Sequence, residues 1–550
     1  MVHLGQLVLS LLPLVFWSDQ QNPITNPLDT SRLHNGFARP VDVTTTKSIA
    51  IVGSGSGGLA ALKTILDLPL ETRAGWEVIL YEQRRDVGGV WLPDPPGPLP
   101  TLPDLPESPL YPRLRTNTPH PTMTYPNFTF PPGTSLFPQW DALQQYHADY
   151  AAHYGLNEYI RLNHTVVSAQ WHGHDEDGDW HIEVHAHGGD DGREVVLKRT
   201  FDHLVVATGH NHYPNIPTWN GTVAWLAGTR PGRPARQIEH SIYYRNPEAY
   251  ANQSVVIVGA GASARDIAIQ VSPVARVAYQ SLSNGSSPAP GATVVPKPRI
   301  SHFTHDAIIF EDGSVLRDVD AVLLGTGYEF RVPFLCSPHA STMDTDPYTH
   351  STSPTAGKLT SNLRYIFPLH RHIFSIVPNF PPTALAFVGL PVLIANAPSD
   401  AAQGMFVAHA IANASLLPSQ DEMMQELLEH EAILRARGYD PYRVGHRLLG
   451  GDTEAQDYQD QLVEYLKKHG VLPDDGKKYV EDWRRFARLD SQLLARAWKR
   501  VEQLREEAYW LAGVATEAEW ADLMYRLADW QRDWEEEHGQ VAFAGAFQAE

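Results

Sequence analysis

Gly53, Gly55 and Gly58 stand directly after the apolar run 49–52 (IAIV) and directly before the helix-forming stretch LAALKTIL. In that position the first glycine permits a tight turn, the second lets backbone approach a pyrophosphate, and the third lets helix and strand pack closely. The helix N-terminus then presents unsatisfied N–H groups and a positive dipole end to the phosphates. Gly259, Gly261 and Ala264 repeat the arrangement after 254–258 (SVVIV), with a small residue in the third place. Two such turns predict two dinucleotide sites. Glu82 closes the strand that follows the first helix, where a carboxylate accepts hydrogen bonds from a ribose diol, in a context fitting flavin adenine dinucleotide (FAD). The strand after the second helix, within VARVAYQSLSNG at 274–285, ends on no acid. That favours NADPH, with Lys297 or Arg299 as donors to a 2′-phosphate. NADH stays open, because neither cation immediately follows the strand.

These residues need strand, turn and helix in that order, and the surrounding chain supplies it. Residues 77–82 complete the first unit, and the strands HLVVATG at 203–209 and AVLLGTG at 321–327 share an ending. Fingerprints about 200 residues apart, each followed later by such a strand, predict one nucleotide domain carrying another inserted in it. The fold class is therefore α/β, two Rossmann-like dinucleotide-binding domains with a helical C-terminal extension. The expected boundaries are 1–46 for a leader, 47–215 and 331–420 for the FAD-binding domain, 216–330 for the NAD(P)H-binding domain, and 421–550 for the extension. Between residues 93 and 138 fall 15 of the 43 prolines, which predicts a long extended segment laid over a surface or cleft. Residues 140–154 read as helix, and 163–187 as strands broken at HDEDGD.

With 550 residues, 43% hydrophobic and 19% charged, the composition is that of a packed globular protein. A net charge of −20 argues against a nucleic-acid partner. The single cysteine, Cys336, excludes an intramolecular disulfide, a cysteine-rich zinc site and a paired redox dithiol. Three close histidine pairs, 185/187, 302/305 and 370/372, lack an accompanying carboxylate cluster, so no metal site is assigned. No G-x-S-x-G elbow supports a hydrolase.

Residues 2–17 are apolar but have no basic residue before them and no small-residue cleavage site, so they read as either a targeting or anchoring segment or a packed leader. Localisation is left between cytoplasm and endomembrane, with weak membrane association or secretory entry following only if residues 1–20 act as an anchor or signal. Asn127, Asn163, Asn220, Asn252, Asn284 and Asn413 head Asn-x-Ser/Thr triplets that matter only on that path. At the other end, Phe486, Leu489, Leu493, Ala497, Val501, Leu504, Ala508 and Leu511 recur at three- and four-residue steps, predicting one amphipathic helix. Six of the 14 tryptophans fall between 483 and 534. They read first as a small core, and otherwise as a docking face for a partner or a second copy of the chain.

GSGSGG at 53–58, YEQRRDVGGVW at 81–91, YPRLRTNTP at 111–119, HSIYY at 240–244, GAGASA at 259–264 and GTGY at 325–328 together resemble the flavin-containing monooxygenases. AFVG at 386–389 and the helix with Gln403 extend the resemblance over about residues 47–415. It implies a dimethylaniline-monooxygenase-like enzyme using FAD, NADPH and O₂ to oxygenate a soft nitrogen or sulfur nucleophile on a small molecule or peptide, through a C4a-hydroperoxyflavin. It also implies cofactor contacts from Gly53, Gly55, Gly58, Glu82, Gly89, Trp91, Thr116, Asn117, Gly259, Gly261, Ala264 and Gln403. Asn117 and His240 are the catalytic candidates. The Asn117 amide can bond flavin or peroxide oxygen without offering a strong acid, and otherwise it is a turn residue. His240 either handles cofactor or proton, or braces the junction between domains.

The sequence also departs from the family pattern. His240 and Tyr244 match its histidine motif, but Pro234 and Arg236 stand where Phe and Gly belong, and Trp225 with Gly228 could supply that pair only across an insertion. Tyr244, where Baeyer-Villiger relatives carry Trp, favours heteroatom oxygenation over carbonyl insertion. Gly404 follows Gln403, and the Arg expected soon after is absent. The competing readings are an NAD(P)H oxidase or reductase that releases H₂O₂, a Baeyer-Villiger-type monooxygenase, and a flavin-bound scaffold whose C-terminal helices recruit a partner.

Overall fold

The computed structural model describes residues 46–101, 103–173, 177–188, 193–336, 342–352, 357–449 and 453–538; the apolar leader lies outside them. Alternation along the first apolar run sets the layers. In β1 (Lys47–Val52), Ile49 and Ile51 face Leu59, Leu62 and Ile65 of α1 (Ser56–Leu66). Ala50 and Val52 face the other way, onto Val166, Trp180, Ile182 and Phe201 of a three-stranded antiparallel sheet. That sheet runs through His164–His172 and Asp179–Ala186, the strands predicted on either side of HDEDGD, and a third strand, Val195–Phe201, that the pattern did not mark.

Beside β1 lies β2 (Trp76–Tyr81), whose outer edge pairs with β3 (Ile160–Arg161), and on the other edge of β1 lies β4 (His203–Val206), all parallel. A second sheet is built wholly from later residues: β5 (Gln237–His240), β6 (Ser254–Val258), β7 (Val277–Ser281), β8 (Val295–Lys297) and β9 (Ala321–Leu324), in the order β8-β7-β6-β9-β5. Its strands are parallel, with helices α2 (Trp140–His153) before it and α3 (Ala262–Val271) packed on Val255 and Ile257. The chain then returns to the first sheet with β10 (Leu369–His370), β11 (Phe374–Ser375) and β12 (Leu385–Phe387), giving the order β10-β11-β12-β4-β1-β2-β3. One dinucleotide unit thus interrupts the other. The two linkers between them pair antiparallel, Tyr328 against Pro214 and Glu329 against Tyr213.

Among its described residues the proline-rich segment has no strand and only one short 3-10 turn, His120–Met123. After β12 the chain is helical: α4 (Asn396–Ala412), α5 (Gln420–Ala436), α6 (Glu454–Lys468), α7 (Asp482–Leu489), α8 (Ser491–Leu504) and α9 (Glu517–Glu537). The single helix expected across 486–511 is corrected here. It breaks at Asp490, which ends α7 and caps α8, and again at Arg505, whose φ is 61°. Each break shifts the helical phase, so Leu489 and Leu504, on the expected buried stripe, are about half exposed at 52% and 51%. The tryptophan reading resolves toward a core: Trp498, Trp510 and Trp520 are buried among Leu494, Leu523, Met524 and Leu527.

Candidate active site

Each glycine turn has the shape a phosphate needs. Gly53 has φ +100°, and a Cβ there would lie 2.6 Å from Ala207 O; one at Gly58 would lie 1.8 Å from Gly53 O. Helix α1 starts at Gly55 with no side-chain cap and no acid in its first turn, so its terminal amides are not claimed by protein carboxylates. Gly259 repeats the conformation with φ +114° and a Cβ site 2.6 Å from Gly325 O, and α3 likewise starts uncapped at Gly261. Ala264 packs its methyl against Gly325, the close contact its small size permits.

Glu82 is buried at the mouth of the first turn. One oxygen accepts from Ser54 N at 2.7 Å and Ser54 Oγ at 2.9 Å, and the other accepts from Arg84 N at 2.8 Å. Gly89 lies against Gly55, and half-buried Trp91 closes the same 3-10 turn through its N–H to Gly88 O. Arg84, beside the motif but not singled out by it, donates to Gly89 O, Leu92 O, Pro93 O and the Glu107 carboxylate. It fixes the start of the proline-rich segment to the first turn.

That segment then crosses to the second unit. Asp94 and the Ser108 carbonyl accept from Arg245 at 2.6 and 3.0 Å, Tyr243 Oη donates to Asp104 O at 2.7 Å, and Tyr111 Oη donates to Asp266. Next come Thr116 and Asn117. Thr116 is buried with its Oγ1 unpartnered, while Asn117 is exposed. A buried hydroxyl without a partner beside an outward amide suits a bound polar group.

His240 sits where the two linkers pair. Its Nε2 donates to Gly327 O at 3.0 Å, its Nδ1 accepts from Ile242 N at 3.2 Å, and its ring packs edge-on to Tyr328. Burial, partly countered by the Gly327 carbonyl, pushes its pKa down to about 4, so the ring is neutral. With both nitrogens engaged by backbone, this geometry is that of a brace at the junction. Trp225, Gly228 and Arg236 do come together: the Arg236 guanidinium stacks on the Trp225 ring and donates to Trp225 O and His305 O, in space left by the missing Cβ of Gly228. Tyr244 is buried, with its hydroxyl on Gln270.

Lys297 pairs beside Ser281 at the end of β7, but its ammonium lies over the Phe310 ring at 5.6 Å. No acid stands at that strand end. Gln403 is wholly buried, not exposed to a cleft: its Oε1 accepts from Gly389 N at 2.8 Å and its Nε2 donates to Tyr458 Oη at 2.7 Å. One turn earlier Asp400, also missed from sequence, is buried near Gly389, and burial raises its pKa to about 7 against a Ser56 hydrogen bond that lowers it. Among the described residues no group of three or more His, Cys, Asp or Glu could hold a metal ion. The close pair His370 and His372 is buried, and His372 meets His446 at 3.0 Å between their Nδ1 atoms.

Residues 46–288 and 290–443 match the family described as flavin-binding monooxygenase-like, which is most of the chain. The chain belongs to this family. Its members are FAD-containing, NADPH-dependent monooxygenases that use O₂ and a substrate, so this protein is an oxidoreductase of that kind. A relative from Arabidopsis thaliana named flavin-containing monooxygenase FMO GS-OX-like 8 is 29% identical over 472 residues, spanning 82% of this chain and 90% of its own. The solved structure of S-allyl-L-cysteine S-oxygenase from Allium sativum aligns with a TM-score of 0.62 at 23% identity, over 89% of this chain and 99% of the other. Tmm from a Pelagibacter species aligns with a TM-score of 0.60 at 20% identity, over 82% and 90%. These likenesses show the fold, two Rossmann-like units with a helical C-terminal region.

The donor sets fit both cofactors. The uncapped start of α1, the Gly53 turn and the unpartnered Thr116 hydroxyl suit FAD. The uncapped start of α3 and the acid-free end of β7 suit NADPH.

Proposed function

We propose that this monooxygenase oxygenates a soft sulfur or nitrogen nucleophile, with residues 47–215 and 331–420 holding FAD and 216–330 holding NADPH. The observation that carries the reading is the outward amide of Asn117 next to the buried, unpartnered Thr116 hydroxyl, on a segment tied by Arg84 to the FAD turn and by Arg245 to the NADPH unit. When bound, flavin would supply the redox chemistry, that is, reduction by NADPH and O₂ activation for transfer of one oxygen atom to the substrate. The chain's own residues bind, orient and protect. Gly53, Gly55, Gly58 and the start of α1 hold the FAD pyrophosphate, Glu82 orders that turn, and Gly259, Gly261 and Ala264 do the same for NADPH. Gly89 and Trp91 wall the first site, and Gln403 holds the Gly389 loop in place. Asn117 offers a neutral donor and acceptor to the reacting oxygen, so no strong acid stands there to protonate it. His240 is a positioning residue that sets the angle of the paired linkers.

Tyr244, in the place where Baeyer-Villiger relatives carry Trp, supports heteroatom oxygenation over carbonyl insertion, and the Allium neighbour, named an S-oxygenase, supports sulfur as that heteroatom. The test is anaerobic mixing with NADPH, which should bleach the bound flavin, followed by O₂ and an alkyl aryl sulfide, which should yield sulfoxide with one NADPH consumed per product. Failure of both NADPH and NADH to bleach the flavin would sink the hydride route. H₂O₂ equal to the NADPH consumed, across sulfides and amines alike, would instead favour the oxidase reading that Arg236 in the altered motif invites.

A further inference from the structure

The segment carrying Asn117 is a folded-back loop. Thr116 N donates to Pro138 O, His120 N donates to Leu136 O, and Arg115 bridges antiparallel to Gln139. The position of Asn117 is therefore set by backbone bonds to the returning arm. Among the described residues its own side chain makes no hydrogen bond that could set it instead.

Both arms are gripped by the C-terminal helices, from more than 340 residues away in sequence. On the returning arm, Leu136 and Phe137 insert into the core of α8 and α9, and Trp498 Nε1 donates to Ser135 Oγ at 2.9 Å. On the outgoing arm, Trp520 meets the His120 ring edge-on at 4.5 Å, and Glu502 pairs with Arg115 at 2.5 Å. The strongest tie is Arg484 of α7. Only 7% exposed, it donates through Nη1 to Pro121 O at 2.7 Å and Thr124 Oγ1 at 3.1 Å, and through Nη2 to Thr124 Oγ1 at 3.1 Å and Glu517 at 2.7 Å, with Nε on Glu481 at 2.8 Å. A planar guanidinium with every face engaged fixes direction as well as distance. Two carboxylates compensate its buried charge, and two acceptors of the Asn117 segment complete the set.

We propose that Arg484 is a positioning residue for oxygenation: by clamping residues 121–124 to the C-terminal helices it holds Asn117 in register beside the reacting oxygen. This rests on the reading of Asn117 given above. Loss of the clamp loosens the loop, so that electrons taken from NADPH leave as H₂O₂ (NADPH + H⁺ + O₂ → NADP⁺ + H₂O₂) more often than they are used to oxygenate substrate. The clamped loop meets the start of α1 through Tyr125 Oη, which donates to Ser56 O at 2.8 Å, a bond that substitution of Arg484 leaves in place, so flavin stays bound at the Gly53 turn.

The experiment uses the full-length, FAD-loaded protein as wild type, R484Q, R484K, T124V and N117A, with methyl phenyl sulfide as the probe. Three quantities are read: H₂O₂ released per NADPH oxidised, bound flavin per chain, and backbone amide exchange across 114–124 and 134–140. The expected result is faster exchange in both stretches for R484Q, an H₂O₂-to-sulfoxide ratio up by about 10-fold, as misplacement of a reacting group produces, and unchanged flavin content. R484K, which keeps the charge and one bond, should recover part of the coupling. N117A should uncouple without faster exchange. An R484Q protein that melts lower but stays coupled, while N117A uncouples, overturns the clamp and leaves the Asn117 reading standing. An N117A protein that stays coupled removes that reading, and the proposal with it. If R484Q does not fold, T124V takes its place, since it removes an acceptor of the clamp from the loop side and nearly preserves shape; coupled turnover in T124V, with N117A uncoupled, likewise overturns the proposal.

Discussion

Two buried titratable residues make the residue scale testable by pH. Asp400 has its pKa raised by burial from 3.8 to about 7, so the folded protein holds that proton more tightly than the unfolded chain. Its contribution is fully favourable below about pH 4 and is lost as pH rises through about 7. The shift corresponds to a loss on the order of 4 kcal/mol. Asp400→Asn, which keeps the shape and can still bond Ser56, is expected to raise the melting temperature of the flavin-free protein at pH 8 by several degrees and to gain far less at pH 5. A gain independent of pH in scanning calorimetry would show that Asp400 does not titrate in this range. His240 runs the opposite way: its pKa is lowered to about 4, so its contribution is present above the ordinary histidine value and lost as pH falls toward 4. Its neutral ring predicts that kcat/KM between pH 5 and 9 shows no inflection that His240→Asn abolishes. The same substitution should cost about 1–3 kcal/mol of stability by unpairing Gly327 O or Ile242 N. Neither environment was legible in the sequence. A lone Asp in a run of alanines and a lone His before Ser-Ile-Tyr acquire their shifts only from elements far away in the chain.

At the scale of elements, the strand-turn-helix units were legible because their signal is local: apolar run, glycines, helix former. Fold and sequence agree there in detail, from Gly53 beside Ala207 to Gly259 beside Gly325. Such agreement lets the two turns be separated by experiment. Gly53→Ala would force a side chain onto a left-handed backbone 2.6 Å from Ala207 O, and is expected to yield protein with flavin content near zero. Gly259→Ala meets the equivalent clash with Gly325 O, and is expected to keep flavin but raise the KM for NADPH by about 10-fold or more, roughly 1.4 kcal/mol of binding. Absorbance per chain and NADPH titration decide it, and loss of flavin in both variants would mean that the turns are not assigned one to each cofactor. The tail was less legible. Its three- and four-residue apolar spacing runs unbroken through Asp490 and Arg505, and nothing in periodicity marks a left-handed residue that ends a helix.

For the whole molecule, the question is whether residues after the family match at 443 are an appendage or part of the enzyme. Packing answers for the latter. Leu462, Val463 and Leu466 of α6 share a core with Ile65 of α1 and with Phe406 and Ala410 of α4, and Tyr458 completes the hydrogen-bonding of Gln403 while donating to Arg371 O. Sequence could not show this, since contacts such as Arg484 to Pro121 link residues 363 apart and leave no periodic trace. Within these helices Trp498, Trp510 and Trp520 are buried as part of a core that also takes in Leu136 and Phe137 of the proline-rich segment. A chain ending at 443 would expose the α4 face and leave the buried Gln403 amide without the Tyr458 hydroxyl. Removing several fully buried side chains at once costs more than the 5–15 kcal/mol that keeps a typical domain folded. The truncated protein is therefore expected to be insoluble or to lack flavin. A soluble, flavin-loaded 1–443 protein would overturn this integration. Because the same helices grip the Asn117 loop, the order of loss should also be diagnostic: point changes at Arg484 uncouple a protein that still holds flavin, whereas truncation ahead of α6 strips the flavin itself.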